Sequence, residues 1–508
     1  MKDILYLAYA NLLESIRKVL MLSDLTMKLL FMPGFNRFRH FNAAVRAYAE
    51  FLRAKRNIPA YRDFLESKGF DTPSFSGLIP NIHEIPFTSK DNYVKLYSID
   101  DRCVHGQVPE EEVVIDESSG STGTATNWVR GEKERAVNAR FIQFGMRNLF
   151  GNAPLFIINA FALGPWATGI NVTMTCLKFS KLKSLGPDKV KIENTLKQFG
   201  TGHKYVIMGY PPFLKMLVDE AQIQWEDYNI SFILGGESMT EGMRAYFQQK
   251  GIRQVYSSFG ASDLELNMSA ENEFTIRLRN LLRTNPILRQ HLLKYPGALP
   301  MVFQYNPTDF FIETNDAGEM LITICRPDYI AQKIRYNIQD KGQIIQMSAL
   351  KNLLKSLQIP ESALFPAQTD LPILLHYGRA DMTVSYFGSN ISAVDIQEAL
   401  YNMPELAENV SSYAISALED NEGNKQLEVS MEYISTFEGS MEPTEQVRAQ
   451  FFKELTMVNQ DFREALRMAG INARAYLRFF RHGEGPFTDN DIRIKARYIV
   501  QQPLPKAA

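Results

Sequence analysis

Residues 116–131 read DESSGSTGTATNWVRG. Five Ser or Thr residues lie between Ser118 and Thr124, broken only by Gly120 and Gly123. Gly lets a backbone approach a ligand closely, and hydroxyls and amides donate hydrogen bonds to anionic oxygens. The stretch has neither G-x-x-x-x-G-K-[ST] nor G-x-G-x-x-G, so it is neither a Walker loop nor a dinucleotide fingerprint. Taken alone it reads as a Ser/Gly surface turn or as a loop that holds phosphate. Its place directly after the apolar run VVID (113–116) favours the second.

Outward from it, short apolar runs alternate with helical stretches. APLFIINAF (153–161), YVIMGY (205–210), SFILGGE (231–237) and RQVYSSFG (253–260) read as strands. KIENTLKQF (191–199) and PPFLKMLVDEAQ (211–222) read as the helices between them. This alternation predicts an α/β layered domain whose strand ends, marked by Gly, place a ligand. Residues 270–298 read as a helical excursion, and MVFQYNPTDFFIETNDAGEMLITI (301–324) as a hairpin turning at Asn315–Gly318. The texture changes again near 378. SYAISALED (412–420), KQLEVSMEYIS (425–435) and ARAYLRFFR (473–481) are strand candidates around the helical IQEALYNM (396–403) and EQVRAQFFKELTMVNQDF (445–462). The expected domains are therefore 1–378, with a helical extension over about 1–70, and a small α+β unit at 379–508 joined by a short hinge.

The 508 residues are 45% hydrophobic and 22% charged, with a formal net charge of −2. That balance argues against a nucleic-acid binder, which usually carries a basic face. Cys103, Cys176 and Cys325 lie far apart, which fits a reducing, cytoplasmic compartment and offers no disulfide framework. The opening ILYLAYANLLESIRKVLMLSDLTMKLLFM (4–32) is apolar but interrupted by Glu14, Arg17, Lys18, Asp24 and Lys28, so no integral membrane span is expected. It reads as amphipathic helices packed on the domain, with peripheral membrane contact as the alternative.

SSGSTGTAT resembles the phosphate-binding loop of the acyl-adenylate-forming enzymes, S-S-G-[ST]-T-G-x-P-[KT]. It is most similar to the branch that contains the phenylacetate–CoA ligases, in which Thr closes the motif, here Thr126; Ala125 stands where the family has Pro. The resemblance continues in the family's order. SKDNYVKLYSID (89–100) looks like the branch's entry segment. ILGGESMTEGMRAYF (233–247) is similar to its G-G-E segment, which implies that Gly235, Gly236 and Glu237 line an adenine pocket. SSFGASD (257–263) resembles Y-G-x-T-E: Phe259 replaces the Tyr that stacks on adenine, Gly260 is kept, Ser262 keeps a hydroxyl for phosphate, and Asp263 keeps a carboxylate for magnesium, with Glu265 as the alternative ligand. KIRYNIQD (333–340) resembles Y-R-T-G-D, which implies that Asp340 accepts from both ribose hydroxyls; Gln339 takes the place of the family's Gly.

GRADMTVSYFGSNISAVDIQEAL (378–400) resembles the family's hinge segment. It implies Arg379 at the ribose and phosphate, Asp381 as hinge, Gly388 by the thiol tunnel and Glu398 on the next helix, while Met382 and Ala393 depart from the family's Asp and Pro. DIRIKARYIV (491–500) is similar to G-K-A-R-R-V, with Lys495 at the catalytic lysine and Ile494 in place of Gly.

The resemblance implies an AMP-forming acid–thiol ligase that uses ATP, Mg2+ and coenzyme A. Residues Ser118, Ser119, Gly120, Ser121, Thr122, Gly123 and Thr126 would hold the leaving phosphates, and Lys495 and Arg379 would carry catalysis. The acyl pocket is expected at NAFALGPWATG (159–169), with Phe161, Leu163, Gly164, Trp166 and Ser258 as its walls, which favours an aryl or apolar acid. A homodimer is compatible with this reading. Two alternatives share the first chemistry or none of it: an adenylating enzyme that acylates an amine or a carrier-protein thiol, and a degenerate nucleotide-binding homologue. His105, His203 and His376 are expected to be structural, and the absence of Cys after residue 263 up to the helical excursion predicts no structural zinc.

Overall fold

The computed structural model describes residues 2–117, 126–295, 299–364, 369–379, 383–386, 389–419, 425–459, 474–488 and 498–499, together with 462, 463 and 466. An 11-stranded sheet organises most of them. One half is parallel: strands Gln254–Phe259, Asn229–Leu234, Lys204–Gly209, Leu155–Asn159 and Lys181–Ser184 lie side by side in that order. Helices Ala167–Cys176, Lys189–Phe199, Pro211–Glu220 and Glu241–Gln249 connect them. Strand Leu155–Asn159 is buried along its whole length, as a strand covered on both faces must be. The other half is antiparallel and runs from Ser269–Ala270 through Met301–Tyr305, Ile373–Arg379, Tyr336–Ile345 and Glu319–Ile324 to Phe310–Thr314.

The strands and helices expected from the apolar runs between 153 and 260 are all present. The hairpin expected over 301–324 is shorter than that. Phe310–Thr314 pairs with Glu319–Ile324 around the Asn315–Gly318 turn, but Met301–Tyr305 sits elsewhere in the sheet, against Ile373–Arg379. Apolar alternation gives a strand; it does not give the partner, which here is some 70 residues away in sequence.

Helices Asn36–Asn57 and Pro59–Ser67 cover the antiparallel half, with Tyr48, Phe51, Tyr61 and Phe64 sharing a core with Phe303, Tyr336 and Leu374. Beyond Arg379, strands Val410–Glu419, Lys425–Tyr433 and Arg474–Phe480 form a small sheet beside helices Ala393–Tyr401 and Glu445–Val458. Ile396, Ile415 and Leu455 share one core with Phe213, Leu217 and Phe247 of the parallel half. Helix Ala393–Tyr401 meets helix Glu241–Gln249 at Gly242, where an added Cβ would fall 2.5 Å from the Cβ of Tyr401, so only Gly permits the approach. Glu398, on that helix, is buried, 3.9 Å from Arg283 of the excursion.

Candidate functional site

The loops that leave the carboxyl ends of the parallel strands open into a cavity of about 570 Å³. After strand Asn229–Leu234 come Gly235, Gly236 and Glu237, all in its lining. Gly236 has φ +82, and a Cβ there would fall 2.3 Å from the ring of Tyr210, so both backbone and space require Gly. After strand Gln254–Phe259 come Gly260, Ser262 and Asp263, which line the same cavity with Ser258 and Phe259.

The hydroxyl-rich loop at 118–125 lies outside the described residues, but its two ends do not. Glu117 and Thr126 end an antiparallel hairpin, Val113–Glu117 with Asn127–Gly131, and both line the cavity. The hairpin is tied to the loop after Phe259 by one buried cation. Arg130 donates to Asp116 Oδ2 at 2.9 Å, to the Leu264 carbonyl at 2.7 Å and to the Ser262 carbonyl. Asp116 also accepts from Asn171 Nδ2 at 2.6 Å. Burial raises the Asp116 carboxyl despite Arg130, whereas the surrounding carboxylates raise the Arg130 guanidinium against the cost of its own burial.

Asp263 and Glu265, the two candidate magnesium ligands, differ in placement. Asp263 lines the cavity; its Oδ2 accepts from Tyr336 at 2.9 Å and lies 3.4 Å from Lys90 Nζ, and its Oδ1 has a 3.4 Å contact with the Ser262 hydroxyl. Glu265 is buried outside the lining, held by Asn138 at 2.8 Å, by the Tyr329 hydroxyl and by Arg326 at 3.6 Å. Among the described residues no three His, Cys, Asp or Glu side chains cluster to hold a metal alone. A single carboxylate in the lining, such as Asp263, is compatible with magnesium, which takes one or two protein carboxylates and draws its other ligands from phosphate oxygens and water.

Asp340 also lines the cavity, on strand Tyr336–Ile345, with its backbone opposite that of Arg379. The preceding Gln339 has φ +64, in the left-handed region that a Gly adopts at little cost. Its N–H donates to Asn337 Oδ1 at 2.7 Å, which fixes the turn. Asp340 Oδ2 lies 2.9 Å from His376 Nε2, and the His376 ring centroid is 4.3 Å from that of Phe259. His376 thus lines the cavity and touches two candidate nucleotide-binding residues, a placement that the expected structural role did not include. His203 packs among Phe156, Phe199 and Tyr205, in keeping with a structural role.

Of the expected acyl-pocket residues, Phe161, Trp166 and Ser258 line the cavity, while Gly164 and Leu163 do not. The apolar lining extends where sequence reading did not look, to Ile142, Met146 and Leu149 on helix Glu132–Phe150. Their i, i+4, i+7 spacing was the available signal. These residues share a core cluster with Phe161, Met208 and Ile233.

Lys495 and Asp381 lie outside the described residues, as do Met382, Gly388 and the Arg379 side chain. Tyr498, three residues beyond Lys495, is described and lines the cavity. Its hydroxyl donates to Glu237 Oε2 at 2.7 Å, its ring stacks on Tyr413 at 4.8 Å, and Ile415 N–H donates to its carbonyl at 2.7 Å. Burial and the neighbouring Glu237 hold the Tyr498 phenol well above its ordinary range, so it acts as a neutral donor.

No family model matches the chain, and no curated protein matches it either. Solved structures do. The chain is similar to 2-hydroxyisobutyryl-CoA ligase in the postadenylation state in complex with R3-HIB-AMP, at TM-score 0.66 and 15% identity over 91% of this chain and 89% of that one. The chain has the fold of that CoA ligase. The same ligase in complex with 2-HIB-AMP in the postadenylation state gives 0.63 at 16% identity over 93% and 91%. With 2-HIB-AMP and CoA in the thioesterification state it gives 0.53 at 16% identity over 92% and 90%.

Proposed function

We propose that this chain activates a carboxylic acid with ATP and passes the acyl group to a thiol, coenzyme A. The reading rests above all on one observation. A single cavity is lined by both ends of the hydroxyl-rich loop, by Gly235–Glu237, by Phe259–Asp263, by Asp340 and by Tyr498 near Lys495. These segments are far apart in sequence, and each is one that the motif reading assigns to the same nucleotide. The fold likeness to a CoA ligase captured with acyl-AMP and with CoA supports it.

In the first step a carboxylate oxygen bonds to the α-phosphorus of ATP, and the bond to the β-phosphate bridging oxygen breaks. Pyrophosphate leaves with that electron pair. Two anions must meet, so catalysis is positioning and charge neutralisation. Asp340 takes the ribose diol, oriented by His376, and Phe259, which lines the cavity, contacts the adenine. Loop 118–126 donates hydroxyls and amides to the leaving phosphates, with Lys90 adding a cation beside Asp263. Asp263 would hold a magnesium ion arriving with the triphosphate, which neutralises phosphate charge. Lys495 sets a cation between the carboxylate and the α-phosphate, and Arg379 reaches ribose and phosphate. In the second step the thiol sulfur bonds to the acyl carbon as its proton departs, and AMP leaves. The small unit from 379 onward turns about Asp381 between the two steps. Phe161, Trp166, Met146 and Ile142 favour an aryl or apolar acyl group.

ATP–pyrophosphate exchange over a panel of aryl and aliphatic acids tests the first step, and thioester formation on adding coenzyme A tests the second. Nucleotide binding without exchange for any acid would reject the proposal. Exchange without thioester would move the acceptor to an amine or a carrier protein.

A further inference from the structure

Helix Lys2–Leu20 is apolar on both sides. Its inward side carries buried Ala10, Glu14 and Arg17 with half-buried Tyr6, Leu7, Tyr9 and Leu13, and its solvent side carries Ile4, Leu5, Leu12, Ile16 and Val19, each 46–69% exposed. At about 100° per residue those five side chains fall in an arc of about 120°. The inward charges anchor the helix. Glu14 bonds Arg17 at 2.6 and 2.8 Å and Arg46 at 3.0 Å, with Asp309 3.8 Å from Arg17. The segment that follows is held the same way. Asp24 pairs with Arg140 at 2.7 Å and with Arg147 at 2.6 Å, Arg140 donates to the Met21 carbonyl at 2.8 Å, and Arg39 to that of Met32 at 2.8 Å. So anchored, it presents Leu22, Leu25, Leu29, Phe35 and Phe38 to solvent, with Leu22 83% exposed. A scattered exposed Leu needs no explanation; five large apolar side chains in one arc, with Ala8 and Ser15 between them, held outward by a buried ion network, do.

We propose that this face docks on an anionic membrane surface. The charge around it decides the occupant. Lys18, Lys28 and Arg37 are exposed along this segment, where Asp3, which accepts from Tyr48, is the one exposed carboxylate of residues 2–38; the nearby exposed Asp71 is paired with Lys55 at 2.5 Å. Lys18 lies about 40° beyond one edge of the helix's apolar arc, where its long stem reaches headgroup phosphates while the leucines enter the acyl boundary; Lys2, beyond the other edge, has its ammonium 3.2 Å from the Phe75 ring centroid and takes no part. A second copy docked about a two-fold axis would set these cations against their own images. No described helix is long and apolar enough to cross a membrane, so the contact lies in the interface plane.

The test is co-sedimentation of the full chain with vesicles of phosphatidylcholine and phosphatidylserine in equal parts, and with vesicles of phosphatidylcholine alone. Binding to the mixed vesicles is expected to be roughly tenfold or more tighter and to weaken with salt. The Leu12→Gln, Ile16→Gln, Leu22→Gln variant is expected to lose at least roughly tenfold in binding. Its circular-dichroism melt should match the parent's, because these side chains are already in water. Lys18→Glu with Lys28→Glu should lower binding to the mixed vesicles alone. A parent chain that stays in the supernatant at low salt overturns the proposal. So does a dimer in sedimentation velocity that the triple variant dissociates, which would make the face a self-association surface.

Discussion

The phenol of Tyr498 donates a 2.7 Å hydrogen bond to Oε2 of Glu237, joining the segment that carries Lys495 to the loop after strand Asn229–Leu234. A hydrogen bond to a carboxylate contributes about 1.5–3 kcal/mol net. If it holds the tail over the cavity during adenylation, Tyr498→Phe lowers the pyrophosphate-exchange kcat roughly tenfold and changes the KM for ATP little, the pattern of an interaction made chiefly in the transition state. Equal losses in kcat and in AMP affinity would instead make Tyr498 a plain nucleotide-site residue.

Asp340 and His376 give a second prediction. A carboxylate that serves a vicinal diol needs its oxygens aimed, and the 2.9 Å contact with His376 supplies an aim. His376→Phe keeps a ring beside Phe259 and removes the hydrogen bond. AMP affinity by calorimetry is expected to fall roughly fivefold to tenfold, about 1–1.4 kcal/mol. Unchanged affinity would make the pair a packing contact only.

Lys495→Ala is the sharpest test of the proposed chemistry. Loss of one preorganised group facing developing charge typically costs about 10²–10³ in rate. Exchange should fall by that much while ATP still binds, since Asp340, Phe259 and the hydroxyl-rich loop remain. Full exchange in the variant would remove Lys495 from the mechanism.

Four of the five strands of the parallel half were legible as short apolar runs; Lys181–Ser184, an edge strand reading KLKS, was not, because it is polar and only half-buried. The Gly235–Glu237 and Gly260–Asp263 loops were legible as ordered motifs, and each lines the cavity. His376 was not legible as a site residue. Its significance depends on strand Ile373–Arg379 pairing with Tyr336–Ile345 in a register interrupted by a bulge between Lys341 and Gly342, and no local pattern encodes that register. The burial of Glu265 was not legible for a related reason. It lies two residues from Asp263, yet the chain turns and buries it against Asn138, Tyr329 and Arg326. The outward leucines of helix Lys2–Leu20 show the converse failure: amphipathic spacing identifies a helix but not which face the fold buries.

Gln339 offers a stability test at a place where sequence and geometry disagree. Its φ of +64 suits Gly better than a residue with a Cβ. Gln339→Gly is expected to change stability by no more than about 1 kcal/mol, the relief of strain set against the larger freedom of Gly in the unfolded chain. A loss well beyond that in urea unfolding would show that the Gln side chain holds the Asp340 turn.

Glu134 sets a pH dependence of stability. It is 3% exposed, and its Oε2 has no hydrogen-bond partner among the described residues. Burial pushes its carboxyl from the ordinary 4.5 up to about 8, with Arg130 and Arg326 opposing that rise and Glu265 adding to it. The folded state therefore holds a proton that the unfolded state has released between those two values. Its contribution to stability is complete below about 4.5 and is lost as pH rises toward about 8. Glu134→Gln mimics the protonated form and cannot ionise. Parent and variant should melt alike near the acid end of that window, and at its alkaline end the variant should be the more stable by about 1–3 kcal/mol, the scale of an unsatisfied buried group. Calorimetric melts across the window measure this directly. Curves that run parallel would mean that Arg130 and Arg326 keep Glu134 ionised in the folded protein.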